Sequence, residues 1–99
     1  MEVKKMFSSN RYVTRGVLSE IPAGLQLFLW GCIDSLPKPC DSFQVFTLSP
    51  FGKRQRISHH SEQPEYHREY SIPAAQTVTA KIYVIDSSEY CTMLLADEY

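Results

Sequence analysis

A chain of 99 residues has room for one domain, and 43% apolar with 21% charged residues place it among globular proteins, excluding disordered and fibrous classes. A formal net charge of −1 and a pI near 6.3 speak against a domain that is basic throughout, as dedicated nucleic-acid binders are. No apolar run approaches the ~20 residues that cross a bilayer, so no membrane attachment is expected.

The N-terminal lysines are not followed by an apolar stretch, so no secretory signal is expected either. Cys32, Cys40 and Cys91 are odd in number and fall in no CxxC or CxxH spacing, which argues against a disulfide framework and against a zinc site. A reducing cytoplasm is the expected location. Charge is unevenly spread: residues 1–60 hold eight Lys and Arg against four Asp and Glu, and residues 61–99 hold two against seven. Basic and acidic strands are therefore expected side by side, neutralising each other across one sheet. At this length folding hides little more than about 60% of the unfolded chain's surface, so a partner subunit would add needed stability.

In chain order, residues 1–9 are polar and aperiodic and read as a flexible start ahead of one domain over 10–99. Tyr12, Val13, Thr14 and Val17 predict a strand over Arg11–Val17. Pro22–Leu36 predicts a helix. Proline suits its first turn, and Leu25, Phe28, Leu29, Cys32, Ile33 and Leu36 recur at spacings of three and four before Pro37 and Pro39 stop it. Phe43–Ser49 predicts a second strand, turned by Pro50, Phe51 and Gly52. Lys53–Ser61 and Tyr66–Ile72 flank Glu62, Gln63, Pro64 and Glu65 as an antiparallel hairpin. In Val78–Asp86, Val78, Ala80, Ile82 and Val84 alternate with polar partners, and Cys91–Leu95 reads as a last strand. One helix among hairpin-linked strands gives an α+β fold, a mostly antiparallel sheet of five or six strands with the helix on one face.

With glycine only at Gly16, Gly24, Gly31 and Gly52, neither a P-loop nor a dinucleotide fingerprint fits the chain, and no cofactor is expected. Three surfaces remain. On a helical wheel the core stripe is full, yet Leu27 and Trp30 fall on the far side of the helix. The leading reading is a non-catalytic interaction module that binds a protein partner or a second copy there; the competing one is that another segment of the chain covers both residues. The first alternative is RNA or single-stranded DNA on Lys53, Arg54, Arg56 and Arg68, with aromatic neighbours for stacking. The second is an enzyme or metal site at His60 and His67, which the hairpin sets opposite each other while His59 points to the other face. Histidines on a hairpin tip are expected to be solvated, and a metal there would need Glu62 or Glu65 as well.

Taken as phrases, SNRYVTRG from Ser9, EIPAGLQLFLW from Glu20, FQVFTLS from Phe43, PEYHREY from Pro64, KIYVID from Lys81 and CTMLLADEY from Cys91 resemble the small Gram-positive bacterial proteins of domain-of-unknown-function family 960. The resemblance covers nearly the whole chain after Met6, which makes Met6 an alternative start. None of these phrases is a catalytic signature. The resemblance implies a bacterial cytosolic protein and brings no functional residue with it.

Overall fold

A computed structural model describes residues 6–99. Strand β1 (Asn10–Val13) leads into helices α1 (Arg15–Glu20) and α2 (Ala23–Asp34). Strands β2 (Phe43–Phe51), β3 (Arg54–Glu62), β4 (Glu65–Pro73), β5 (Ala80–Asp86) and β6 (Tyr90–Leu95) follow, with a 3-10 turn (Ala96–Glu98) last. The fold is α+β with a mostly antiparallel sheet, as the element order predicts. No helix among the described residues is long and apolar enough to cross a membrane.

Helix α2 follows from its apolar spacing. Pro22 occupies the N-cap, where its missing N–H costs nothing, and Leu25, Leu29, Cys32 and Ile33 are buried along one stripe. At the other end the Ser35 hydroxyl donates to the Gly31 carbonyl at 2.9 Å, and Pro37 and Pro39 forbid continuation. Leu36 is also buried, and Phe28 meets Tyr70 of β4 edge-to-face at 5.4 Å between ring centroids.

The strands form one sheet in the order β1-β6-β5-β2-β3-β4. Residues directly opposite in a ladder share a face. Phe46 of β2 is therefore level with His59 of β3 and Ile82 of β5, and Leu48 is level with Ile57. These side chains, with Val84 and Met93, are buried beneath the helices. The opposite face carries Thr47, Arg54, Arg56, His67, Glu69 and Lys81, all exposed. At its β5 side Phe43, Tyr83 and Tyr99 pack into a trio with centroids 4.8 to 5.6 Å apart.

Two expectations are corrected at the N-terminal end. The strand expected over Arg11–Val17 stops at Val13, because Thr14 is extended and its hydroxyl accepts the Val17 N–H, capping α1 instead. Val17 then points inward as a helical core residue with no exposed surface. The flexible start expected over 1–9 does not hold for Phe7, which is buried and whose N–H donates to Asp86 Oδ2 at 2.7 Å. Residues 1–5 lie outside the described residues. β1 also pairs with β6 in parallel, Arg11 beside Cys91 and Val13 beside Met93, which puts a strand from the start of the domain against the last strand.

The last turn closes this end. The Glu98 carboxylate accepts from Thr14 Oγ1 at 2.6 Å, Leu95 N at 2.8 Å and Gly16 N at 3.2 Å. Gly16 leaves room for that carboxylate, since a Cβ there would sit 2.7 Å from both Glu98 and Leu95 side-chain atoms. The Glu98 group cannot swing away without releasing its three donors. Gly16→Ala is therefore expected to destabilise the protein by about 1–3 kcal/mol, read as a lower melting temperature, and an unchanged melt would show that the clamp carries no stability.

Candidate interaction surface

The period of the strands decides the basic hairpin. Arg54 and Arg56 stand on the open face of β3, with Lys53 in the turn beside Gly52, whose φ of +61° the turn requires. Arg68 pairs with His59 and so belongs to the helix-side face, its guanidinium 5.4 Å from the Tyr66 ring centroid. The expected basic surface of Lys53, Arg54, Arg56 and Arg68 is thus split between two faces of the sheet. Its open-face members are also engaged: Arg54 donates to the Ser71 hydroxyl at 2.8 Å and the Ser71 carbonyl at 2.6 Å, and Arg56 pairs with Glu69 at 3.1 Å. The Arg56–Glu69 pair is the cross-sheet neutralisation that the uneven charge predicts.

His60 and His67 do stand opposite each other on the open face. His67 lies 3.6 Å from Glu69 Oε2, beside a shallow depression lined by His60, Ser61, Glu62, Glu65, Tyr66 and His67. Among the described residues, no group of three or more His, Cys, Asp or Glu side chains is placed to hold a metal ion.

His59 departs from the solvated state expected of the histidines. It is fully buried, stacked on Phe46 at 4.2 Å and edge-on to Tyr66 at 5.0 Å. The Gln44 amide donates to the Asp41 carbonyl and turns its oxygen toward His59, whose Nε2–H donates to it at 2.8 Å. Nδ1 is then a bare acceptor with no partner among the described residues. Burial, with help from the neighbouring His60 charge, pushes the imidazole down to a pKa of about 4, so it is neutral at physiological pH. A second interior amide, Gln55, ties the 74–79 loop to the sheet. Its Nε2 donates to the carbonyls of Ser49, Arg56 and Val78 at 3.0–3.1 Å, and its Oε1 accepts Val78 N–H at 2.8 Å.

The far side of α2 is the surface that the fold leaves unused. Trp30 is half-buried, packed on the core's margin, and Arg11 from β1 roofs its ring at 4.8 Å while also pairing with Asp34. Leu27 is 72% exposed. The two residues therefore differ: Trp30 is largely claimed by its own chain, and Leu27 is not. One turn to either side of Leu27 stand Gly24 and Gly31, and a Cβ on either would meet nothing within 4 Å. A helix glycine costs ~1 kcal/mol relative to alanine, and no contact among the described residues requires that cost at these two positions.

Beside this flank, α2 and the end of β4 border a groove of about 550 Å³ lined by Leu25, Phe28, Ile72, Pro73, Ala74 and Ala75. Sequence reasoning found neither the groove nor the buried Gln44–His59 pair. The glycine spacing around Leu27 was legible as seven residues apart, two turns of helix.

The comparisons with known proteins agree with this architecture. The family described as "Staphylococcal protein of unknown function (DUF960)" matches residues 10–98. The chain belongs to that family. A crystal structure of a protein of unknown function from Enterococcus faecalis superposes with a TM-score of 0.87 at 23% identity, covering 98% of each chain. At that identity the likeness establishes the fold. Among curated proteins there is no significant match.

Proposed function

We propose that this protein is a non-catalytic interaction module that uses the outer flank of α2, centred on Leu27, to bind a protein partner, a second copy of itself in the first instance. The observation that carries the reading is the exposed Leu27 set between Gly24 and Gly31, whose missing side chains leave hollows on both sides. A helix brought against this stripe approaches closely, and its own apolar side chains fill the hollows. Trp30 and Arg11 form the stiffened border of the stripe. A cytoplasmic location goes with this reading and is supported by the odd number of cysteines.

Sedimentation velocity tests the proposal. The wild-type protein is expected to self-associate and Leu27→Glu to sediment as a folded monomer with an unchanged far-UV circular dichroism spectrum. Leu27 touches little of its own protomer, so the substitution should leave stability within about 0.5 kcal/mol. Folded monomers in both cases remove the reading.

A further inference from the structure

Strand β4 is an edge of the sheet: the strand order ends with it, and among the described residues only β3 pairs with its nine residues. An edge of that length presents a row of backbone N–H and C=O groups to any strand that can lie beside it. The groove between α2 and β4 takes Ile72 from this edge and Gly24, one turn from Leu27, from the helix, so it bridges the edge and the helix stripe. A single partner can cover all three.

We infer that the partner is a second copy of this chain, joined β4 to β4 about a two-fold axis at Glu69 so that the sheet continues from one protomer into the other. The inference rests on the self-association proposed above and names the strand and register that carry it. A two-fold axis perpendicular to the sheet keeps faces matched, so only antiparallel registers centred on a residue are allowed. Pairing Glu65 with Pro73 and Pro73 with Glu65 centres the ladder on Glu69 and uses the full length of both strands.

In that register Tyr66 stands opposite Ile72 of the second copy and Arg68 opposite Tyr70, an aromatic–aliphatic pair and a cation–aromatic pair on the helix-side face. Each occurs twice by symmetry. Tyr66 of the second copy then comes to the rim of the groove at Ile72. On the open face the two Glu69 carboxylates meet, but neither comes alone. Each brings Arg56 from its own β3 at 3.1 Å and His67 at 3.6 Å. Two guanidiniums and two imidazoles therefore surround two carboxylates. A shift of two residues toward the hairpin would put Arg68 against Arg68 instead, over Tyr66 and Tyr70, with no acidic side chain on that face of β4 to offset it.

Oxidative cross-linking of variants with one introduced cysteine, made with Cys40→Ser so that only the buried Cys32 and Cys91 accompany it, reads the register. On the axis, Glu69→Cys places two Cβ atoms roughly 4.5–5.5 Å apart and is expected to convert most of the protein to a disulfide-linked dimer. Glu65→Cys, at the far end of the ladder, is expected to give at least tenfold less. The same two variants are repeated with Leu27→Glu. Preferential linkage through position 69 in either background supports the β4 pairing, and its persistence with Leu27→Glu would at the same time remove the helix-flank reading. Two results overturn the β4 pairing: a wild-type protein that sediments as a monomer at about 100 μM, or a dimer in which positions 65 and 69 link equally slowly. If that dimer also dissociates with Leu27→Glu, the helix flank survives and the strand pairing does not.

Discussion

Lowering the pH from 7 toward 4 is expected to remove about 3 kcal/mol of stability through His59 alone. In the fold this imidazole is buried, and its pKa lies near 4, against 6.5 for the free side chain. Above pH 6.5 both folded and unfolded chains hold it neutral, and its contribution is undiminished. As the pH falls below 6.5 the unfolded chain takes up a proton that the folded chain refuses, so stability declines until the folded form also protonates near pH 4. A shift of that size corresponds to about 3 kcal/mol. Glu69, Glu98 and Asp41 have pKa values below their ordinary ones. Hydrogen bonds to Ser58 and Arg56 lower Glu69, and the Thr14 hydroxyl with two backbone N–H groups lowers Glu98. For Asp41, burial raises the value, but four backbone N–H groups outweigh it. Their losses enter as the pH falls toward the ordinary carboxylate range, so urea unfolding between pH 7 and about 5 isolates the imidazole. His59→Phe keeps an aromatic ring against Phe46 and Tyr66 while stranding the Gln44 oxygen. It should be less stable at pH 7 yet nearly flat over that window. A wild-type slope equal to that of the variant would mean that His59 is not buried as described.

Phe46→Ala should cost about 4 kcal/mol, the other large effect. Phe46 has no exposed surface, sits in the central part of the sheet level with Ile82 and His59, and stacks on the His59 ring at 4.2 Å. Truncation removes the ring's burial and leaves a cavity bounded by strands held in register on both sides, which limits collapse. For a domain whose whole stability is of the order of 5–15 kcal/mol, that is a large fraction. It would be read as a drop in the urea midpoint at constant m-value. The variant should also raise the apparent pKa of His59, because water entering the space lightens the desolvation that lowers it. A loss below about 1 kcal/mol would place Phe46 outside the core.

The parts of this fold that local chemistry controls were legible in the residues. The α2 stripe is a spacing of three and four, its ends are prolines, and the β3–β4 hairpin is two extended runs around Gln63-Pro64. His60 opposite His67 follows from that turn, and the placement of Arg68 away from Arg54 and Arg56 was contained in the two-residue period. The chain's likeness to its family was legible too, in phrases spread from Ser9 to Tyr99.

What the residues alone did not decide depends on contacts between distant segments. The β-branched and aromatic residues of Arg11–Val17 predict a strand throughout, and the stretch after Val13 turned helical because Thr14 caps it and Glu98, 84 residues away, binds the cap. His59 and His60 are neighbours of the same type, and alternation says only that they face opposite ways. Which of them is buried was settled by the face on which α2 lies, a choice made by the summed packing of Phe46, Ile57, Ile82 and Met93 against the helix. The same holds for the two anomalous residues of α2. Periodicity placed Leu27 and Trp30 off the core stripe, and the tertiary structure packs Trp30 on the margin of the core beneath Arg11 while leaving Leu27 outside. Periodicity along a chain assigns residues to faces, whereas burial of a face requires a second surface that the local sequence does not contain.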